Sequence, residues 1–218
     1  MSGRPPAAVL PALLRRWLGP LAALAALVVA VLGVLHAGDG RPDAVDAWIS
    51  AAVDGAGPSW RYVALAMDFL GEPAGSTTLV VATVTGCLLL RRPRAAVFVV
   101  AATGLTVGTA TLLKSLVGRT IHGDNLSYPS GHTAFFTALC LVVTLLVTGR
   151  RGLGGAAGTL LVCAAALVAG GAMGWAQVTL GAHYPTDVLG GWCTALAVTS
   201  ATAWLVDRTA DADRQALR

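Results

Sequence analysis

The chain has 218 residues, of which 56% are hydrophobic and 12% charged, and its formal net charge is +4. Soluble domains carry about 25% charged residues, so this composition excludes an ordinary soluble domain and points to the bilayer. The small basic excess is divided among short loops between apolar runs, which excludes a nucleic-acid footprint and predicts no nucleic-acid partner.

A membrane-spanning helix takes roughly 20 mostly apolar residues. Charge-free runs of that order separate Arg16 from Asp39, Glu72 from Arg91, Arg94 from Lys114, His132 from Arg150, Arg151 from His183, and Asp187 from Asp207. They predict six spans, at about 18–36, 75–90, 95–114, 132–148, 155–175 and 187–206. Arg15 and Arg16 ahead of the first run also suit a signal peptide. The run is long for such a core and "LHAGDG" is a weak cleavage site, so it reads as a retained first span.

The longest segment between spans is 37–74. In "AVDAWISAAVD", Val45, Trp48, Ile49, Ala52 and Val53 keep helical spacing, with Asp46, Ser50 and Asp54 on the other face. "PSWRYVALAMDFLG" repeats the pattern through Trp60, Val63, Met67 and Leu70. Both read as short amphipathic helices at the membrane interface. Trp17, Trp175 and Trp204 near span ends read as interfacial anchors. Cys87, Cys140, Cys163 and Cys193 fall within spans without any CxxC pair, which fits small core residues better than disulfides or metal ligands. The fold expected is all-α: one integral-membrane six-helix bundle with short amphipathic helices in its first outer loop. Its parts are a cytoplasmic N-terminal segment at 1–17, a membrane domain at 18–206 and a cytoplasmic tail at 207–218.

Six spans place both termini on one side. That side holds 11 of the 15 basic residues, and the other holds 8 of the 11 acidic ones. Short loops rich in Lys and Arg stay in the cytoplasm, so both termini are expected there. By the same parity, the loops joining spans three to four and five to six open on the outer face, together with 37–74. Lys114, Arg119, His122, Asp124, Ser130 and His132 belong to the first of these connections. Gln177, His183 and Asp187 belong to the second. Three of the four histidines and the only lysine therefore share one face; His36 reads as an ordinary solvated residue. Ionisable groups at the membrane edge are usually functional.

The chemistry open to this group is specific. In "PSGH", Ser130 suits a helix N-cap and leaves free N–H groups for an anion. Lys114 and Arg119 suit phosphate oxygens. In "HYPTD", His183 and Asp187 are spaced so that the carboxylate can fix one imidazole nitrogen while the other meets substrate. One histidine as nucleophile, another as acid, and cations about an oxyanion make a phosphoryl-transfer site.

Lysine, then "PSGH", then "GAHYPTDVLGG" resembles the type 2 phosphatidic acid phosphatase family, the membrane lipid phosphatases related to vanadium haloperoxidases. The motifs span 114–191, and the six-span architecture extends the likeness over nearly the whole chain. The resemblance implies that His183 attacks phosphorus, Asp187 orients its ring, and His132 protonates the leaving oxygen and then helps activate water. It implies that Lys114, the Ser130 side chain and the Gly131 N–H hold phosphate oxygens, with no metal or other cofactor. It departs from the family at two places. Ile121 and His122 stand where the first motif carries Arg-Pro, and Ala176 and Gln177 where the third carries Ser-Arg. Arg119, a protonated His122 and the Gln177 amide are the expected replacements. The implied activity is metal-independent removal of phosphate from a membrane lipid phosphate or pyrophosphate on the extracytoplasmic side. The substrates implied include polyprenyl pyrophosphate, phosphatidic acid and phosphatidylglycerol phosphate. Two alternatives remain open: a lipid-linked phosphotransferase, and a catalytically silent lipid-binding protein of the same fold. Partners expected are the lipid substrate and the bilayer; the sequence carries no signal of oligomeric state.

Overall fold

The computed structural model describes residue 9 and residues 12–53, 57–153 and 155–216. Among them eight helices form: α1 (Ala12–Leu35), α2 (Ala44–Val53), α3 (Pro58–Gly71), α4 (Pro73–Leu89), α5 (Pro93–Val117), α6 (Gly131–Arg151), α7 (Gly155–Thr179) and α8 (Pro185–Ala216). Five of these, α1 and α5 to α8, are long and apolar enough to cross a membrane. The second expected span corresponds to α4, whose 17 residues reach only the short end of the spanning range of about 17–25.

Proline at the first turn starts α3, α4, α5 and α8, where its missing N–H leaves no bond unmade. α5 ends at Gly118, which takes φ +65° and closes the helix by donating its N–H to Lys114 O. The chain then forms a small antiparallel hairpin of β1 (Thr120–Ile121) and β2 (Asn125–Leu126). This hairpin is the one addition to the expected all-helical fold among the described residues.

α6 and α8 lie at the centre, with α5 and α7 packed on α6 and α1 laid along α8. Phe98 and Val99 of α5, Phe135, Leu139, Val142 and Leu145 of α6, Val162 of α7, and Leu196 of α8 fill the core. Leu24, Leu27, Val97, Val100, Leu160 and Val168 point outward, as a lipid-facing surface requires. Close packing at α8 depends on Gly191, where any Cβ would run into the carbonyl of Ser130. A helix with a larger residue there could not lie against the turn that begins α6.

Two findings concern the segment from His36 to Gly71. α2 presents Val45 and Trp48 outward, as an interfacial amphipathic helix requires, but Asp46 on its polar face is completely buried in the protein and not solvated. In a membrane protein the apolar face can meet lipid while the polar face meets a polar site, and α2 takes that arrangement. Asp54 lies outside the described residues. His36, expected to be solvated, is 5% exposed and its two ring nitrogens lie within hydrogen-bond reach of Leu32 O (3.0 Å) and Asp43 Oδ2 (3.2 Å). Trp175 does more than anchor an interface, because it packs edge-on against Trp60 of α3 with ring centroids 5.9 Å apart.

Candidate active site

The ends of α1, α5 and α7 and the beginnings of α6 and α8 meet at one end of the bundle. Backbone bonds lace them together. Gly38 N–H donates to Val117 O, Thr120 N–H to Asp39 O, Ser127 N–H to Arg119 O, and Ser130 N–H to Asp187 O. The last of these joins the "PSGH" turn directly to the first turn of α8. The Tyr184 hydroxyl adds a bond to Gly40 O.

His183 sits in the turn before α8, 8% exposed, with Nδ1 3.7 Å from Asp187 Oδ2. That distance exceeds a hydrogen bond, and Nδ1 has no other partner. Burial pushes the imidazole below its ordinary pKa; Asp187 opposes this, while Lys114 and His132 add to it. The neutral ring is thus favoured.

Beneath His183 lies a dry ionic triad. Arg119 Nη1 donates to Asp187 Oδ1 (2.7 Å) and Nη2 to Asp46 Oδ2 (2.6 Å), and all three side chains are 0% exposed. Arg119 also donates to the Thr186 hydroxyl at 2.6 Å, and its guanidinium stacks 4.4 Å from the Tyr184 ring centre. Burial works against its charge, but Asp187 and Asp46 more than offset this and raise its pKa. Asp187 Oδ2 accepts the Tyr184 N–H (3.0 Å), and Asp46 Oδ1 accepts the Thr186 N–H (2.9 Å). Asp46 is itself set by Asp43, whose Oδ1 accepts the Asp46 N–H at 2.7 Å; that bond is the main cause of the lowered Asp43 pKa.

The second histidine has different surroundings. His132 Nε2 lies 3.5 Å from both Asp68 Oδ1 and Glu72 Oε1, and its side chain is 24% exposed. Its ring packs over Gly71, where a Cβ would collide with it. Gln177 of α7 donates from Nε2 to Asp68 Oδ1 at 2.7 Å. The carboxylates and the imidazole are close enough to hold a cation.

The remaining expected residues fall as follows. Lys114 is half-buried at the end of α5 and donates to Leu126 O (2.7 Å). Ser130 is fully buried and caps α6, accepting the Thr133 N–H at 3.4 Å and donating to the Thr133 hydroxyl at 3.1 Å. Helix geometry leaves the N–H groups of Gly131 and His132 without intrahelical partners. His122 is exposed on the hairpin with its ring beside Gly181.

These placements revise three expectations. Arg119 does not reach toward a phosphate, because both terminal nitrogens are committed to carboxylates in a closed interior. The Ser130 hydroxyl is committed to Thr133 as a cap. Gln177 is 1% exposed and spends its amide on Asp68, while Ile121 at the other departing position is also buried. Neither position returns a cation to the site. Asp46, Asp68 and Glu72 were not among the expected site residues. Parity had put their segment on the same face, and its run of acids was the available signal.

These features define a helical membrane protein with two histidines and their carboxylate neighbours at one end of its bundle. The profile of the PAP2 superfamily matches residues 17–211, and the chain belongs to that family. Among solved structures, it is similar to the crystal structure of the first transmembrane PAP2 type phosphatidylglycerolphosphate phosphatase from Bacillus subtilis. That match has 22% identity and a TM-score of 0.68, and covers 86% of this chain and 94% of that one, so the fold is shared. A search of curated proteins finds no match.

Proposed function

We propose that this protein is a lipid phosphate phosphatase working through a phosphohistidine. The observation that carries the reading is the buried, neutral-favouring His183, with Asp187 on its Nδ1 side and with the start of α6, which carries His132, tied to the start of α8 by the Ser130 N–H bond to Asp187 O. The membership of the PAP2 superfamily supports the same reaction class.

With Nδ1 toward Asp187, Nε2 is the nitrogen free to attack. The N–P bond forms as the P–O bond to the lipid breaks, and His132 gives its proton to the departing oxygen. Water then attacks phosphorus, its proton passes to His132, and the N–P bond breaks to release inorganic phosphate. Lys114 and the free N–H groups at the start of α6 stabilise the phosphoryl oxygens. Asp187 stabilises the positive charge that develops on His183. The positive-inside bias supports an extracytoplasmic site with both termini in the cytoplasm. The substrate is a lipid phosphate or pyrophosphate whose tail stays in the bilayer beside the bundle.

The test is phosphate release in chelator by purified protein from phosphatidic acid, phosphatidylglycerol phosphate and polyprenyl pyrophosphate, beside His183→Ala. The expected result is release by the native chain alone. Equal release by His183→Ala rejects the nucleophile, and dependence on magnesium rejects the metal-independent scheme.

A further inference from the structure

The outer segment contributes a part to the reaction centre that no motif describes. We infer that Asp46 of α2, acting through Arg119, is a positioning residue that keeps Asp187 an effective electrostatic partner for His183. The inference rests on the phosphohistidine reading above.

The geometry carries it. Arg119 links two carboxylates, at 2.6 Å to Asp46 and 2.7 Å to Asp187, and none of the three is exposed. A guanidinium paired with Asp187 alone would cancel the carboxylate that His183 needs as positive charge develops on its ring. With Asp46 on the far side, two anions share one cation and the triad keeps a net charge of −1. In a site closed to water that remaining charge is poorly screened. Asp46 also fixes direction: it accepts the backbone N–H of Thr186 (2.9 Å) and its hydroxyl, so the first turn of α8 is pinned to α2. Asp187 Oδ1 is held by Arg119 and Oδ2 by the Tyr184 N–H, which leaves Oδ2 directed at His183. His36 and Asp43 complete the support, since Asp43 holds both the His36 ring and the Asp46 N–H. The first outer loop is therefore part of the active centre and not a covering over it.

Asp46→Asn tests this, because it keeps the shape and an acceptor oxygen while removing the charge. Native protein, Asp46→Asn, Asp187→Asn and the double variant are compared by phosphate release from phosphatidic acid in mixed micelles with chelator. Asp46→Asn is expected to lower kcat about 20-fold with KM changed less than about twofold, the pattern of a loss felt in the transition state. On the Asp187→Asn background the same change is expected to lower the residual rate less than about threefold, since a residue acting through Asp187 has little left to act on. A folded Asp46→Asn protein with native kcat overturns the inference, and so does an equal 20-fold loss on both backgrounds. If Asp46→Asn does not yield monodisperse protein, Arg119→Lys is read in the same cycle, with the same two outcomes deciding. Lack of turnover by the native chain, or full turnover by His183→Ala, instead overturns the phosphohistidine reading and the inference with it.

Discussion

The two histidines of the site are built into opposite kinds of surroundings. His183 stands over a triad from which water is excluded, and every carboxylate oxygen there has a donor or faces the ring. His132 stands beside Asp68 and Glu72, which are 25% and 51% exposed, with neither contact as short as a good hydrogen bond. The difference matches what the His183 ring has to do in the proposed reaction. A nucleophile gains from a fixed direction and an unscreened counter-charge, which only a dry interior supplies. His132 Nε2 is itself shielded from solvent and without a hydrogen-bond partner, so it is the partly exposed carboxylates beside it, not the nitrogen, that meet water. The dry side is also the costly one to disturb, because removing one member of a buried charge set leaves the others unpaired.

Mutation can break this contrast in graded steps. The largest loss is expected for His183→Ala, where phosphate release falls to background, since no other group is placed to attack. Asp187→Asn follows, with kcat lowered by about two to four orders of magnitude. His132→Ala is expected to cost about 100-fold or more for a lipid alcohol leaving group. The loss should shrink when the leaving group is a stable phenolate such as nitrophenolate; equal losses for both would remove His132 from the role of acid. Arg119→Ala is expected to destabilise the protein by about 3–5 kcal/mol, read as a lower midpoint of thermal unfolding in detergent. The smallest effects are expected on the open side, where Asp68→Asn and Glu72→Gln each change kcat by less than about tenfold. A larger effect there than at Asp187 would reverse the comparison.

The pH dependence sharpens the same contrast. Burial lowers the His183 pKa, so the attacking neutral form persists to more acidic pH than for a free imidazole of about 6.5. Lowering the pH should reduce kcat/KM through protonation of His183 only below that value. Asp187 on α8 opposes the shift, and Lys114 on α5 and His132 on α6 favour it. Replacing Lys114 by methionine should therefore move the acid limb toward higher pH, whatever it does to the maximum rate. An acid limb well above pH 6.5 in the native protein would contradict the buried, neutral ring.

Much of this could be read from the residues in order. Runs of uncharged residues marked the helices because a bilayer tolerates few charges, and the parity of those runs told which connections share a face. Two imidazoles and a lysine on one face, with "PSGH" and "HYPTD", were enough to indicate phosphoryl transfer. Local spacing could not say what the polar face of α2 would meet. Its apolar stripe was plain, but whether the opposite face meets water or protein depends on what the rest of the bundle offers, and the bundle offered a polar end. Hence Asp46 went inward and Val45 and Trp48 outward. Arg119 likewise reads as a phosphate ligand from its distance to Lys114. Only the approach of two carboxylates, from α2 and α8, turned it into an internal strut. Helices follow from patterns within a few neighbouring residues, and the family from motifs spread along the chain. Partners of a buried charge are chosen by segments remote in sequence, and become visible only once the chain is folded.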